Sequence, residues 1–265
     1  MLDRKEIESL RKSTREWNFE QLLQRDCDFY NSVPGNLTGY DCHLCGNRGY
    51  IAKIADHYVV QERCTCMAIR ENIWRIERSG LADVINDYTF EKYLAVEPWQ
   101  DKIKKQAQEF LNEAQGWFFI GGQVGCGKTH ICTAIARGLM EQGNQAIYML
   151  WRDEATSLKA IRMNEEEYNK AINRLKAIRV LYIDDFFKTE KGKQPTEADI
   201  NIAFELLNYR YNKKDSITIL SSERSHREIL SIDEAIGSRI IERCGKYLIT
   251  IGEDIKKNYR LKRVV

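Results

Sequence analysis

Short runs of apolar residues alternate with amphipathic stretches from residue 117 onward. The runs are WFFI at 117–120, AIYML at 146–150, VLYI at 180–183, ITIL at 217–220 and YLITI at 247–251. Uninterrupted apolar runs separated by segments of helical periodicity are typical of parallel strands that helices cover on both faces. The pattern therefore predicts an α/β domain built on a five-stranded parallel sheet.

The N-terminal part of the chain has a different pattern. Apolar residues recur at helical spacing in residues 1–35 and again in 67–80, and the intervening segment contains closely spaced cysteines. We predict a small, helical, cysteine-rich N-terminal module over residues 1–79. The α/β domain then covers residues 80–265, of which 80–100 form a linker into it.

Composition limits the classes of function that the chain can have. Hydrophobic residues make up 43% of the 265 positions, enough for a packed core, and the net charge of +2 excludes a uniformly basic nucleic-acid-binding surface. No apolar stretch approaches the roughly 18 residues that span a bilayer, and no signal peptide is visible. We therefore expect a cytoplasmic protein that does not insert into membranes. Its eight cysteines should be reduced, either binding metal or buried as thiols.

The segment GQVGCGKT matches the phosphate-binding pattern G-x-x-x-x-G-K-[ST] and lies between a predicted strand and a predicted helix. Its glycines allow backbone N–H groups to face a phosphate chain, Lys128 would reach the β- and γ-phosphates, and Thr129 would ligate Mg²⁺. We assign Cys126 and His130 no chemistry of their own. The predicted nucleotide-binding residues are Gly122, Gln123, Val124, Gly125, Cys126, Gly127, Lys128, Thr129 and His130.

Acidic and polar residues at the ends of later strands complete the predicted site. Asp184 follows VLYI and is the expected Mg²⁺ partner, while Asp185 could polarise an attacking water. Ser221 and Ser222 end the next strand, where their hydroxyls could hold that water or the γ-phosphate. Arg239 and Arg243 lie four residues apart on one helical face and could reach the γ-phosphate of a neighbouring subunit. This set of residues indicates triphosphate hydrolysis.

Two closely spaced cysteine pairs, Cys42-x₂-Cys45 and Cys64-x-Cys66, suit a tetrahedral structural Zn²⁺ site. The second pair has one intervening residue where two are usual, so His43 or His57 could replace one ligand. The alternative is a set of reduced, partly buried thiols. The isolated cysteines, Cys27, Cys132 and Cys244, are expected to be core or surface thiols.

The order GGQVGCGKTH, VLYIDDFF, ITILSSE, GSRIIER and YR resembles the AAA+ ATPases of the DnaC/DnaI helicase-loader group, to which the IstB transposition helpers are related. The cysteine-bearing segment is similar to that of phage and prophage DnaC-like proteins. The resemblance implies an AAA+ P-loop domain in which 122–129 is the Walker A loop and Asp184 and Asp185 form Walker B. It also implies that Ser222 is the sensor-1 residue, that Arg243, or else Arg239, acts in trans, and that Arg260 is a sensor arginine in cis.

The resemblance also implies the function and the partners. We expect an ATPase that uses ATP, Mg²⁺ and a structural Zn²⁺, assembles into a ring or spiral, and assists loading of a hexameric replicative helicase onto single-stranded DNA. Many AAA+ proteins have glutamate where this chain has Asp185. The shorter side chain is expected to affect the efficiency of hydrolysis and not the binding of ATP. Three alternatives remain: an IstB-type regulator of a transposase, an adaptor that ATP merely stabilises, and a P-loop kinase.

Overall fold

The computed structural model describes residues 18–76, 87–190 and 192–262 of the chain. They form two compact units, one ending at Arg70 and the other beginning at Glu71. The boundary predicted between residues 79 and 80 lies outside the described residues, as do the predicted helical pattern over residues 1–17 and the first part of the linker. Among the described helices, none combines the length and apolar character needed to cross a membrane.

The larger unit is built on the predicted five-stranded sheet, whose strands follow the five apolar runs closely. The strands are β3 (Trp117–Gly122), β4 (Ala146–Leu150), β5 (Val180–Asp184), β6 (Ile217–Ser222) and β7 (Leu248–Ile251). They pair in the order β4-β5-β6-β3-β7, and every pair is parallel. The predicted α/β class and parallel sheet are confirmed.

Helices cover both faces of this sheet. They are α3 (Pro98–Glu113), α4 (Lys128–Glu141), α5 (Trp151–Ala160), α6 (Glu165–Ala177), α7 (Glu197–Asn212), α8 (His226–Ile232) and α9 (Glu234–Cys244). A short helix, α10 (Tyr259–Lys262), follows β7. Alternate residues of β3 enter different cores: Phe118 packs in the cluster that contains residues of α3 and α4, and Phe119 in the cluster that contains residues of α5 to α9. The continuous apolar run of each strand therefore has a packing partner on both sides.

Residues at the helix ends stabilise α6 and α7. At the start of α7 the Thr196 hydroxyl accepts from the N–H of Asp199 (3.2 Å), and the Asp199 carboxylate accepts from the N–H of Thr196 (3.0 Å), forming a capping box. Helix α6 begins with three glutamates, 165–167, and ends with Arg174 and Lys176, so its charges oppose the helix dipole at both ends.

A fully buried arginine of α7 connects the C-terminal end of α6 to the starts of β5 and β6. Arg210 of α7 has no exposed surface and donates to the carbonyl oxygens of residues 175, 176, 178, 179 and 217 at 2.7–3.3 Å and to Thr218 Oγ1 at 3.0 Å. The first two carbonyls belong to the last turn of α6, which has no N–H partners of its own for them. A single guanidinium thus satisfies the end of α6 and the starts of β5 and β6.

The smaller unit combines two helices with a hairpin that the sequence analysis did not predict. Its elements are α1 (Phe19–Ser32), β1 (Tyr50–Ala55), β2 (Tyr58–Arg63) and α2 (Cys66–Ile76), and α2 continues past Arg70 into the larger unit. The strands are antiparallel and joined by Asp56 and His57, which both have positive φ (49° and 62°). The Asn31 amide of α1 bonds both the N–H and the carbonyl of Ala52, which satisfies backbone groups on the outer edge of β1.

Replacing Arg210 with methionine should lower the free energy of unfolding of the larger unit by about 3 kcal/mol, because several buried carbonyls lose their donor at a cost of roughly 1–3 kcal/mol for each unsatisfied group. Urea unfolding followed by far-UV circular dichroism measures this loss. Arg174→Met, at an exposed position of α6, is the matched control and should change stability by less than about 0.5 kcal/mol. Equal stabilities of the two variants would show that Arg210 does not organise these chain ends.

Candidate functional site

The phosphate-binding loop connects β3 to α4 in a conformation that only glycine adopts easily. Gly122, Gly125 and Gly127 have φ values of 101°, 72° and 91°. A Cβ atom would also lie 2.1 Å from the Ile251 carbonyl oxygen at Gly122 and 2.1 Å from Asn258 Oδ1 at Gly125. Gly122 is therefore required by both its backbone conformation and close packing against backbone, and Gly125 and Gly127 chiefly by their backbone conformation. No side chain of the described residues caps the start of α4, so its first N–H groups are available to an anion.

Lys128 lies inside this loop rather than in solvent. Its side chain is nearly buried, and Nζ donates to the carbonyl oxygens of Gly122 (2.9 Å) and Gln123 (2.7 Å). Neutral carbonyls balance an ammonium charge poorly, so a phosphate anion would be a stronger partner for it. These two hydrogen bonds thus hold the Lys128 ammonium against the loop at the N-terminus of α4.

Asp184, the last residue of β5, is enclosed by hydroxyl groups. It is 4% exposed and accepts hydrogen bonds from Tyr148 (3.2 Å), from Thr129 (3.4 Å) and, by a short contact, from Ser221. Burial raises the pKa of its carboxyl, an effect that the hydrogen bonds from Ser221 and Tyr148 oppose and the charge of Asp185 reinforces. A cation bound between Thr129 and Asp184 would supply the positive charge that this enclosure lacks.

Asp185 follows in a left-handed conformation, with φ of 52°. Its Oδ2 atom accepts from Lys188 Nζ at 2.7 Å, and the same ammonium lies 2.9 Å from Glu223 Oε1. All three residues line a pocket of about 640 Å³ together with Lys128 and Thr129. The predicted nucleotide-binding lysine, metal-binding threonine and water-polarising aspartate therefore face one cavity.

Part of the pocket is lined by the segment that precedes α3, in which the sequence analysis predicted no site residues. Tyr88, Tyr93 and Leu94 line it, and the Tyr88 ring stacks on His130 with centroids 4.7 Å apart and an angle of 15°. Burial lowers the pKa of His130, so the neutral ring donates from Nε2 to the Thr89 carbonyl oxygen at 2.8 Å. His130 thus fastens this segment to α4. In the sequence, this segment shows a pair of tyrosines in a polar stretch, and that pattern matches no motif that predicts a nucleotide site.

The C-terminal segment closes the pocket at the phosphate loop. The N–H of Tyr259 donates to the Gly125 carbonyl oxygen (2.9 Å), and the Tyr259 hydroxyl donates to the Leu94 carbonyl oxygen (3.0 Å). Arg260 lines the pocket and is exposed. The structure therefore brings the predicted cis arginine to the same cavity as Lys128.

Three predicted site residues lie elsewhere. Ser222 is buried, but its hydroxyl donates to the Phe186 carbonyl oxygen at 2.7 Å, whereas Ser221 contacts Asp184. Arg239 of α9 lies over the rings of Phe204 and Tyr211, at 5.2 and 5.4 Å. Arg243 lies over Trp117 at 6.0 Å and donates to the Lys214 carbonyl oxygen. Ser222, Arg239 and Arg243 do not line the pocket of their own chain.

The four cysteines of the N-terminal unit converge. All are buried, and their Sγ atoms lie within 4.8 Å of one another. The cluster includes neither His43 nor His57. The Cys42–Cys64 and Cys45–Cys66 sulfur separations are 3.8 and 3.5 Å, close to the ~3.8 Å expected between thiolates 2.3 Å from a tetrahedral zinc. The other three cysteines named above, Cys27, Cys132 and Cys244, are buried and isolated from it.

The surroundings of this cluster shift the pKa values of its cysteines in opposite directions. Burial acts to raise the pKa of Cys45, but hydrogen bonds, first from the Gly49 N–H (3.3 Å) and then from the other cysteines, bring it down to about 6. Burial raises the pKa of Cys66 to about 12, against a hydrogen bond from Arg70. An N–H donor to a sulfur is a common second contact around bound metal. The residues therefore fit a structural zinc site.

Comparison with known proteins gives the family. The bacterial DnaA ATPase domain matches residues 85–244. The chain is 31% identical over 247 residues to the phage-like element PBSX protein XkdC of Bacillus subtilis (strain 168), covering 88% of this chain and 90% of that protein. It is 27% identical over 173 residues to the replicative helicase loader DnaC of Buchnera aphidicola subsp. Schizaphis graminum (strain Sg), covering 63% and 66%.

A solved structure agrees at the level of the fold. The AMPPCP-bound DnaA of Aquifex aeolicus superposes with a TM-score of 0.52 and 24% identity, over 67% of this chain and 53% of that one. The chain thus spans about half the length of this DnaA. The chain belongs to the bacterial DnaA ATPase domain family, and the AAA+ and DnaC-like resemblance of its motifs is confirmed.

Proposed function

We propose that the pocket binds ATP with Mg²⁺ and hydrolyses it. The observation that carries this proposal is the pairing of a loop-held Lys128 with Thr129 and Asp184, whose oxygens are 3.4 Å apart, at the open N-terminus of α4. The phosphates would lie along 122–129, and the base would lie against Tyr88 and Tyr93. Arg260 would approach the phosphates from the C-terminal segment.

Hydrolysis in this arrangement needs little covalent chemistry from the protein. Thr129 and Asp184 would hold Mg²⁺, which neutralises charge on the phosphate oxygens. Lys128 stabilises the charge that develops on the γ-phosphoryl group, and Asp185 orients a water and accepts its proton. An arginine of the next subunit, Arg243 or Arg239, would add charge stabilisation in a ring or spiral.

We further propose that ATP controls how tightly the protein binds a hexameric replicative helicase while that helicase is loaded onto single-stranded DNA. The DnaA-type family and a relative named as a helicase loader support a role in replication. The N-terminal unit supports partner binding, because Phe29, Leu44 and Tyr58 are 72%, 72% and 71% exposed. In this proposal these three side chains would pack against the helicase, as a contiguous apolar patch does at a protein interface.

Zinc would stabilise this partner-binding unit. The hairpin strands bury little beyond Ala52, and the cysteine cluster forms the hydrophobic centre of the unit with Tyr40, Ile51 and Met67 packed against it. Units this small commonly need a metal to fold stably.

Lys128→Ala should abolish ATP binding, whereas Asp185→Asn should retain ATP binding and lower kcat by roughly 10²-fold or more, as expected for loss of a general base. Nucleotide titration and a steady-state phosphate-release assay measure the two effects. Wild-type turnover by Asp185→Asn would contradict its role as the general base. An adaptor that ATP only stabilises would instead keep its partner-binding function in Asp185→Asn and lose it in Lys128→Ala.

Tagged protein in an ATP analogue should retain a replicative helicase from host lysate, identified by mass spectrometry, and should retain much less in ADP. Lys128→Ala is the control that should lose the nucleotide dependence. Retention of a transposase without helicase would move the ATPase to transposition and contradict the loading role.

Purified protein should contain one zinc per chain, and Cys45→Ser or Cys66→Ser should lose it on dialysis against a chelator, as elemental analysis would show. Cys27→Ser is the matched control, since Cys27 is buried in the same unit but outside the cluster, and should keep its zinc. ATP affinity should be unchanged in all three variants. A zinc-free wild type, or full zinc in Cys45→Ser, would contradict the assignment.

A further inference from the structure

A lysine that matches no recognised motif lies in the nucleotide pocket. Lys188 belongs to the turn after β5, and its N–H donates to the Asp185 carbonyl oxygen at 2.9 Å. Its side chain folds back over that turn, so Nζ lies 2.7 Å from Asp185 Oδ2 and 2.9 Å from Glu223 Oε1. Lys188, Asp185 and Glu223 all line the pocket.

The backbone around Asp185 is held by contacts that do not involve the Lys188 side chain. The Ser222 hydroxyl donates to the Phe186 carbonyl oxygen at 2.7 Å, and Arg224 Nε donates to the Phe187 carbonyl oxygen at 3.1 Å. The N–H of Phe186 also donates to the Ser221 carbonyl oxygen at 2.8 Å. Both Asp185 and Phe187 are held in left-handed conformations, at φ of 52° and 57°. The end of β6 thus holds this turn, and what remains free is the rotation of the Asp185 side chain.

The ion pair with Lys188 restricts that rotation. The side chains of Asp185 and Lys188 are 24% and 39% exposed, so this contact is better shielded than an ion pair in open solvent. Burial acts to lower the pKa of Lys188, but its hydrogen bonds with Asp185 and Glu223 raise it overall, so the ammonium stays charged at neutral pH. Only one carboxylate oxygen of Asp185 is engaged by the lysine, which leaves Oδ1 for a water.

We propose that Lys188 is a positioning residue for ATP hydrolysis, which orients the Asp185 carboxylate toward the attacking water while Glu223 anchors the lysine on its other side. The inference rests on the proposed function, since it assumes that Asp185 accepts the proton of that water. Orientation matters because small displacements of a reacting group lower rates steeply. Glu223 contributes by holding Lys188 and has no contact with the reacting atoms in this scheme.

The test is a double-mutant cycle in the full-length protein, with kcat and KM for ATP measured separately. Lys188→Met should lower kcat roughly 10-fold, Glu223→Gln should lower it less, and KM should change by less than about twofold in both. Lys188→Arg should recover much of the rate. In an Asp185→Asn background, Lys188→Met should have no further effect, because its target is gone.

Lys193→Met is the matched control. It removes a lysine of the same loop that pairs with Glu190 at 2.6 Å and does not line the pocket, so kcat should not change. An increase in kcat for Lys188→Met would show that the ion pair restrains Asp185, which overturns the proposal. A tenfold or larger rise in KM, persisting with Asp185→Asn, would make Lys188 a phosphate ligand instead and would also overturn it.

The cycle separates this inference from the proposed function. If Asp185→Asn lowers kcat but Lys188→Met acts additively with it, only the role of Lys188 fails. If Asp185→Asn leaves kcat unchanged, hydrolysis through Asp185 fails, and with it any positioning of that residue.

Discussion

The site depends on keeping the carboxylate of Asp184 charged although it is buried. Asp184 is 4% exposed, and burying an ionised carboxylate without partners costs several kcal/mol. Its partners come from three different elements: Thr129 from α4, Tyr148 from β4 and Ser221 from β6. These groups meet only when β4, β5 and β6 are adjacent and parallel, because parallel strands end at the same edge of the sheet. The strand order is thus a condition for the chemistry as well as for the core.

Much of this arrangement could be predicted from the sequence because it follows from strong local patterns. Apolar runs located all five parallel strands, and the glycine-rich motif located the loop between β3 and α4. Tyr148 could not be identified, since a tyrosine inside AIYML looks like any strand residue until the neighbouring strand is known. The choice between Ser221 and Ser222 is a matter of one residue of strand register, which determines the hydroxyl facing Asp184. The hairpin was missed because Asp56 and His57 form its turn in place of the usual Asn-Gly.

The two units are stabilised in different ways. The larger unit has two apolar cores, one on each face of its sheet, and tolerates a fully buried guanidinium because six acceptors surround it. In the smaller unit most hairpin side chains remain accessible, and sulfur atoms take the place that aliphatic side chains occupy in the sheet domain. Clustered cysteines thus form the centre of the smaller unit, whereas apolar side chains form both cores of the larger one. Phe29, Leu44 and Tyr58 of the smaller unit are largely exposed.

Tyr259 has a consequence for the thermodynamics of the pocket. Its N–H donates to the carbonyl oxygen of Gly125 in the phosphate loop, its hydroxyl donates to the carbonyl oxygen of Leu94, and the Gln100 amide donates to that hydroxyl. The free energy of fastening the C-terminal segment therefore depends on the same loop that a triphosphate would contact. By linkage, a ligand that favours the fastened loop must also protect the backbone amides of that segment from solvent exchange, and loosening the segment must weaken the ligand by the same factor. Helix α10 is then thermodynamically coupled to the phosphate loop, although the two are far apart in the sequence.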